Sequence, residues 1–182
     1  MSSEPALILD LASIEESVRL AAPYAATRAI AASVLLERNH GAREQDRLDL
    51  EHGAQRRGGE LRRRAVTDVD RLTYDDPNQT TEEAAEAVAF LVARHVLDRV
   101  VYGRLKIRTG ADYRLRPPGV DVGDEYERLE VSGIGTGSEP TSQRLREKLE
   151  QLAAYPEEPS GFAIVTNFRV HPIEILIGRL AS

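Results

Sequence analysis

The feature that most constrains this chain is a repeated change in the spacing of its apolar residues from Thr80 onward. A spacing of three and four residues marks a helix with one buried face, whereas alternation or a short apolar run marks a strand. Thr80 or Thr81 is the predicted cap of a helix with Glu82 and Glu83 in its first turn, running through Ala85, Val88, Ala89, Leu91, Val92 and Val96. The runs VVYGRLKIR, GADYRLR and YERLEVSG then predict three strands, at least two of them in a hairpin, with PPGVDVGDE as the turn between the last two. Thr141 to Ala153 predicts a second helix, with Leu145, Leu149 and Leu152 on its buried stripe and YPEEPSG ending it. FAIVTNF and IEILIG predict two final strands. The order α-β-β-β-α-β-β over residues 80–180 implies an α/β or α+β core, a sheet covered by two helices.

Two segments precede this core. Residues 1–37 read as a helical N-terminal extension: Leu7, Leu9, Leu11, Ile14 and Val18 lead into Ala-rich sequence ending at Leu36, Pro23 divides or kinks the run, and Ser13 with Glu16 has the form of a capping box. Its Ala- and Leu-rich face, residues 5–36, is a candidate surface for a partner protein or a second copy. Residues 38–79 read as a polar, Arg-rich linker or exposed helix, because residues 38–64 offer only Leu48, Leu50 and Leu61 as large apolar groups. Arg56, Arg57, Arg62, Arg63 and Arg64 form a local basic excess there, read either as a phosphate-binding patch or as a solvated face. The domain organisation expected is thus 1–37, 38–79 and a core at 80–182.

Composition excludes several functions. With no Cys, a thiolate nucleophile, a disulfide or a cysteine metal site is ruled out. A formal net charge of −6 is unlike a basic nucleic-acid-binding module, so any phosphate contact must be local. The longest apolar stretch, Leu20 to Leu36, is interrupted by Pro23 and Arg28, and the N-terminus lacks a basic signal-peptide region. The expectation is no membrane association and a cytoplasmic location.

Chemistry concentrates at two carboxylates. Asp112 opens the strand DYRLR, and Glu130 lies in LEVSG between Leu129 and Val131. Alternation puts Glu130 and Ser132 on the face opposite Leu129 and Val131. If the two strands form the hairpin, Asp112 and Glu130 approach closely enough to share a divalent cation with oxygen ligands, as suits Mg²⁺. The other reading makes both of them outward-facing charges.

A strand beginning with Asp, a hairpin, a second strand of the form Glu-x-Lys and an amphipathic helix resemble the PD-(D/E)XK, or restriction-endonuclease-like, superfamily. GADYRL with Asp112, RLEVSG with Glu130, and the helix TEEAAEAVAFLV carry the resemblance over roughly residues 80–170. It implies a mixed central sheet flanked by helices and Mg²⁺- or Mn²⁺-dependent cleavage of phosphodiester bonds, usually in DNA, of the kind used in bacterial defence or toxin systems. It also implies a catalytic set of Asp112, Glu130, a basic residue and a helical glutamate. Ser132 stands where the family places its lysine, so the basic role passes to Lys148 or Arg144 on the following helix, with Gln151 one turn on. Glu86 is the helical glutamate chosen from Glu82, Glu83 and Glu86. The alternative function is a catalytically inactive subunit or adaptor of the same fold that binds protein or nucleic acid. His40, His52, His95 and His171 show no metal-ligand spacing, and GIGTGSEPTS is either a plain turn or a loop that meets nucleic-acid backbone.

Overall fold

The computed structural model describes residues 6–106, 109–120, 123 and 125–180. Strand β1 (Leu7–Asp10) passes through a short 3-10 helix (Leu11–Ser17) into helix α1 (Ala22–His40). The hairpin β2 (Gln45–His52) and β3 (Gln55–Arg62) follows, then helices α2 (Asp68–Thr73) and α3 (Pro77–His95). Strands β4 (Val100–Arg104), β5 (Tyr113–Arg116) and β6 (Glu127–Ile134), helix α4 (Thr141–Ala153) and strands β7 (Gly161–Asn167) and β8 (Ile173–Leu180) complete the order. All eight strands join one mixed sheet in the order β1-β3-β2-β8-β7-β6-β5-β4. The fold is α+β with flanking helices, and residues 80–180 follow the predicted order of elements.

Glycines report which helix covers which face. A Cβ at Gly133 on β6 would lie 2.7 Å from the Thr81 carbonyl of α3, whereas one at Gly178 on β8 would meet Leu149 and Leu145 of α4. Alternation along β6 therefore turns Leu129 and Val131 toward α3 and turns Glu130 and Ser132 toward α4. Helices α1 and α3 pack on each other, and α3, buried nearly all round, fills the space between α1 and the sheet. Strand β7, covered on both faces, is buried along its whole length, as its continuous apolar run predicts.

Three sequence expectations are corrected. The N-terminal segment is not wholly helical: Leu7 and Leu9 point into the core from an edge strand paired in parallel with β3, while Ile8 is 43% exposed. The apolar face of residues 5–36, as far as it is described, lies within the chain's own core rather than on an oligomerisation surface; Leu11, Ile14, Ala25, Ala29, Ala32, Leu35 and Leu36 all belong to that core. Residues 38–64 are no linker or exposed helix, because β2 and β3 lie inside the sheet between β1 and β8. A strand with one covered face needs an inward group only at every second residue. Here Asp46, Leu48 and Leu50 supply that face, and Arg63 meets the buried Asp46 carboxylate with two hydrogen bonds of 2.6 and 2.8 Å. Gly59 lets β1 approach, since a Cβ there would fall 2.3 Å from the Leu7 carbonyl oxygen.

Smaller differences concern helix ends and loops. Helix α3 begins at Pro77, earlier than the Thr80 or Thr81 cap expected, because the Asp76 carboxylate accepts from the amides of Asn78 and Gln79 and proline is well suited to a first helical position. The hydroxyls of Thr80 and Thr81 instead donate back to the carbonyls of Asp76 and Pro77. The 3-10 helix is capped by Asp10, whose carboxylate accepts from Ala12 N, in place of the Ser13–Glu16 box. Residues 1–5 of the N-terminal segment, 107 and 108 of the predicted strand at 100–108, and 121, 122 and 124 of the predicted turn lie outside the described residues.

The Asp46–Arg63 pair gives a direct test of this architecture. Asp46→Ala is expected to lower the unfolding free energy by about 3–5 kcal/mol in urea titrations, because it strands a buried guanidinium. The double replacement Asp46→Leu with Arg63→Met is expected to recover most of that loss.

Candidate active site

The site lies where β5 and β6 part. Strand β6 pairs with β5 only over Glu127–Leu129, but it continues beside β7 to Ile134. Asp112, one residue before β5, fills the notch: its amide donates to the Leu129 carbonyl, and its Oδ2 accepts from the Val131 amide at 2.9 Å. The side chain thus takes a bond that the missing strand neighbour would have taken. Glu130, 2% exposed, stands close enough to Asp112 for the two carboxyl charges to act on each other. From α4, Lys148 Nζ donates to Glu130 Oε1 at 2.6 Å and to Gln151 Oε1 at 3.2 Å. The reading of Asp112 and Glu130 as outward-facing surface charges does not hold for Glu130.

Electrostatics follow from this packing. Burial, reinforced by the neighbouring Asp112 charge, raises the Glu130 carboxyl to about 7, against the downward pull of Lys148. Two carboxylates with one ammonium leave an excess negative charge when both ionise. That imbalance is the condition in which a pair of oxygen ligands favours a cation.

Arg128, the residue two before Glu130, holds the surrounding elements in place. Its fully buried guanidinium donates to the carbonyls of Pro159 (2.5 Å), Thr109 (2.8 Å) and Leu152 (3.0 Å), tying β6 to the last turn of α4 and to the approach to β7. A cation at a helix C-terminus is favourably placed against the helix dipole.

The other predicted residues surround the pair. Glu82, Glu86, Arg104, Ser132, Arg144 and Lys148 line a cavity of about 320 Å³ that opens on Asp112 and Glu130. Glu86 faces it, but its carboxylate is held by Arg28 Nε at 2.6 Å, and the Arg28 guanidinium sits 3.4 Å from the centre of the Tyr24 ring. Tyr24 and Tyr113 share a 2.7 Å hydroxyl contact, and burial followed by the Glu86 charge pushes the Tyr113 hydroxyl far up. Arg144 also faces the cavity and is paired with Glu139 through Nε at 3.0 Å. Glu83 lies off the cavity, accepting from Gln79 Nε2.

Other sequence candidates are drawn into structural contacts. Arg56, Arg63 and Arg64 pair with Glu51, Asp46 and Glu15, so much of the basic run is neutralised within the chain. The His40 and His171 rings lie 5.4 Å apart, tilted by 43°, and His52 approaches Phe162 edge-on. In the GIGTGSEPTS segment the Thr141 hydroxyl donates to Glu174 and accepts from Asn167 Nδ2.

Arg28, Tyr24 and Arg104 were not legible as site residues. Arg28 and Tyr24 belong to a helix distant in sequence, and Arg104 ends an ordinary strand; an arginine inside the apolar Leu20–Leu36 run was the one available signal for an ion pair there.

Among the described residues no group of three or more His, Asp or Glu side chains is arranged to hold a metal ion, and no helix is long and apolar enough to cross a membrane. Asp112 and Glu130 are two adjacent oxygen donors, and a pair of carboxylates completed by waters and phosphate oxygens is the kind of set that Mg²⁺ takes. Comparison with protein-family models, with curated proteins and with solved structures returned no match.

The raised Glu130 group predicts a pH dependence. Its carboxyl holds a proton to about pH 7 in the folded chain and to about 4.5 when ordinarily solvated. The folded state therefore binds more protons across that interval, and this contribution to stability, complete below 4.5, is lost as pH rises through 7. In Asp112→Asn the like charge is gone, so the loss is expected to be smaller and the Glu130 titration, followed by carboxyl-carbon NMR, to move down.

Proposed function

We propose that the protein is a Mg²⁺- or Mn²⁺-dependent nuclease of PD-(D/E)XK type, acting on phosphodiester bonds in DNA in the cytoplasm, as in bacterial defence or toxin systems. The observation that carries this reading is the 2.6 Å contact between Lys148 and Glu130 beside Asp112. It brings together two acids and one base, although the strand position of the base is taken by Ser132. Asp112 and Glu130 would hold the cation, which supplies a bound water of lowered pKa and neutralises charge on phosphoryl oxygens. Lys148, held by Glu130 and Gln151, presents an ammonium at the carboxylate pair, where it can stabilise negative charge growing on the phosphoryl group. Arg144 adds a second cation at the cavity wall. Glu86, which lines the same cavity and is fixed by Arg28, would add negative charge beside a cation held by Asp112 and Glu130.

The second reading, an inactive subunit or adaptor of the same fold, is favoured by one specific feature. The charges of Lys148, Glu86 and Arg144 are each met inside the chain, by Glu130, Arg28 and Glu139.

Plasmid and single-stranded substrates incubated with Mg²⁺ or Mn²⁺ separate the two. Wild type is expected to cut, with cutting abolished by chelation and by Asp112→Ala or Glu130→Ala, and reduced about a hundredfold or more by Lys148→Ala. The rate is expected to rise through pH 7 as Glu130 loses its proton. Absence of cutting by folded wild-type protein would leave the adaptor reading.

A further inference from the structure

The carboxylate pair is the common wall of two cavities. On one side lies the 320 Å³ cavity with Ser132, Arg144 and Lys148; on the other lies one of about 370 Å³ with Lys106, Gly110, Gln151 and Tyr155. Asp112, Glu130 and Arg104 line both. Arg104 is the cation of that shared wall. Its side chain is exposed, and it makes no hydrogen bond or ion pair with a described residue. Its guanidinium instead lies 5.5 Å from the centre of the Tyr113 ring, which Tyr24 holds by its hydroxyl and Phe90 holds edge-on. The charge is thus oriented by a fixed aromatic surface and lies in the field of Glu86 and Asp112, but no described carboxylate takes a hydrogen bond from it. Lys106 places a further exposed cation in the second cavity.

We propose that the two cavities form one groove that binds a polynucleotide strand across Asp112 and Glu130, with Arg104 as its central phosphate contact. The choice of ligand rests on the nuclease reading; the groove and its cation do not. A single nucleotide would occupy one cavity. A strand places a backbone on both sides of the carboxylates and brings a phosphate to Arg104, the side chain that reaches both spaces. An arginine suits this task, since its planar donors can engage two phosphate oxygens while one face stays on the ring.

Fluorescence anisotropy with a short labelled single-stranded oligonucleotide, and with a labelled mononucleotide, tests this with Ca²⁺ in place of Mg²⁺. Wild type is expected to bind the oligonucleotide much more tightly than the mononucleotide. Arg104→Ala is expected to weaken oligonucleotide binding about tenfold and to reduce the slope of log affinity against log salt by about one, while Arg104→Lys recovers part of the loss. Lys106→Ala at one end and Arg144→Ala at the other are each expected to weaken it too. Thermal melts check that the variants fold, which the exposure of Arg104 favours. Unchanged binding in Arg104→Ala, or equal binding of mononucleotide and oligonucleotide, would overturn the proposal. Oligonucleotide binding that depends on Arg104, without cleavage in Mg²⁺, would sustain the groove and overturn the nuclease. Cleavage that is indifferent to Arg104, with binding also unchanged, would do the reverse.

Discussion

The parallel pairing of β6 with β7 is the constraint on which the site depends. Parallel neighbours cannot be joined by a tight turn, so the chain must cross one face of the sheet between them, and it does so as helix α4. That crossing brings α4 over the face of β6 that carries Glu130. Lys148 then meets Glu130 because the topology stacks the helix on the strand, with the buried Arg128 fastening the helix end to the same strand. A lysine in the strand itself is not required for an ammonium to reach the acid.

The same topology leaves the notch that holds the second acid. Strand β5 runs beside β6 for only a few residues, so the Val131 amide is open to a side-chain acceptor, and Asp112 supplies it. One aspartate therefore does two things: it completes the hydrogen bonding of a strand edge and brings a second negative charge against a buried glutamate. The raised Glu130 pKa is the electrostatic result. The local backbone arrangement and the chemistry available at the site have one origin.

Around this pair the chain places charges that check one another. Arg28 from α1 holds Glu86 of α3, and Tyr24 links that pair to Tyr113 of β5. These contacts join three elements behind the cavity, so Glu86 and Tyr113 are held by partners far away in sequence. Arg104 differs because it leans on the Tyr113 ring and feels the charges of Glu86 and Asp112 without a hydrogen bond to any described carboxylate, which leaves its donors open toward the two cavities.

The sequence by itself determined the order of elements from residue 80 onward and the face on which Glu130 and Ser132 lie, because apolar period is a local property that survives without tertiary contacts. It determined α4 well, since Leu145, Leu149 and Leu152 mark one side of a helix and leave Arg144 and Lys148 beside that stripe. It misled where burial is supplied by partners rather than by composition. The β2–β3 hairpin looked too polar for a sheet interior because Asp46 is matched by Arg63, and Leu7 to Asp10 looked helical because a short edge strand merges into the helical spacing that follows. Only the tertiary structure decided that Lys148 meets Glu130, that Arg28 takes Glu86, and that Arg104 joins two cavities. Each depends on how strands pair and where a helix crosses the sheet, and spacing along one segment does not encode the distance between segments.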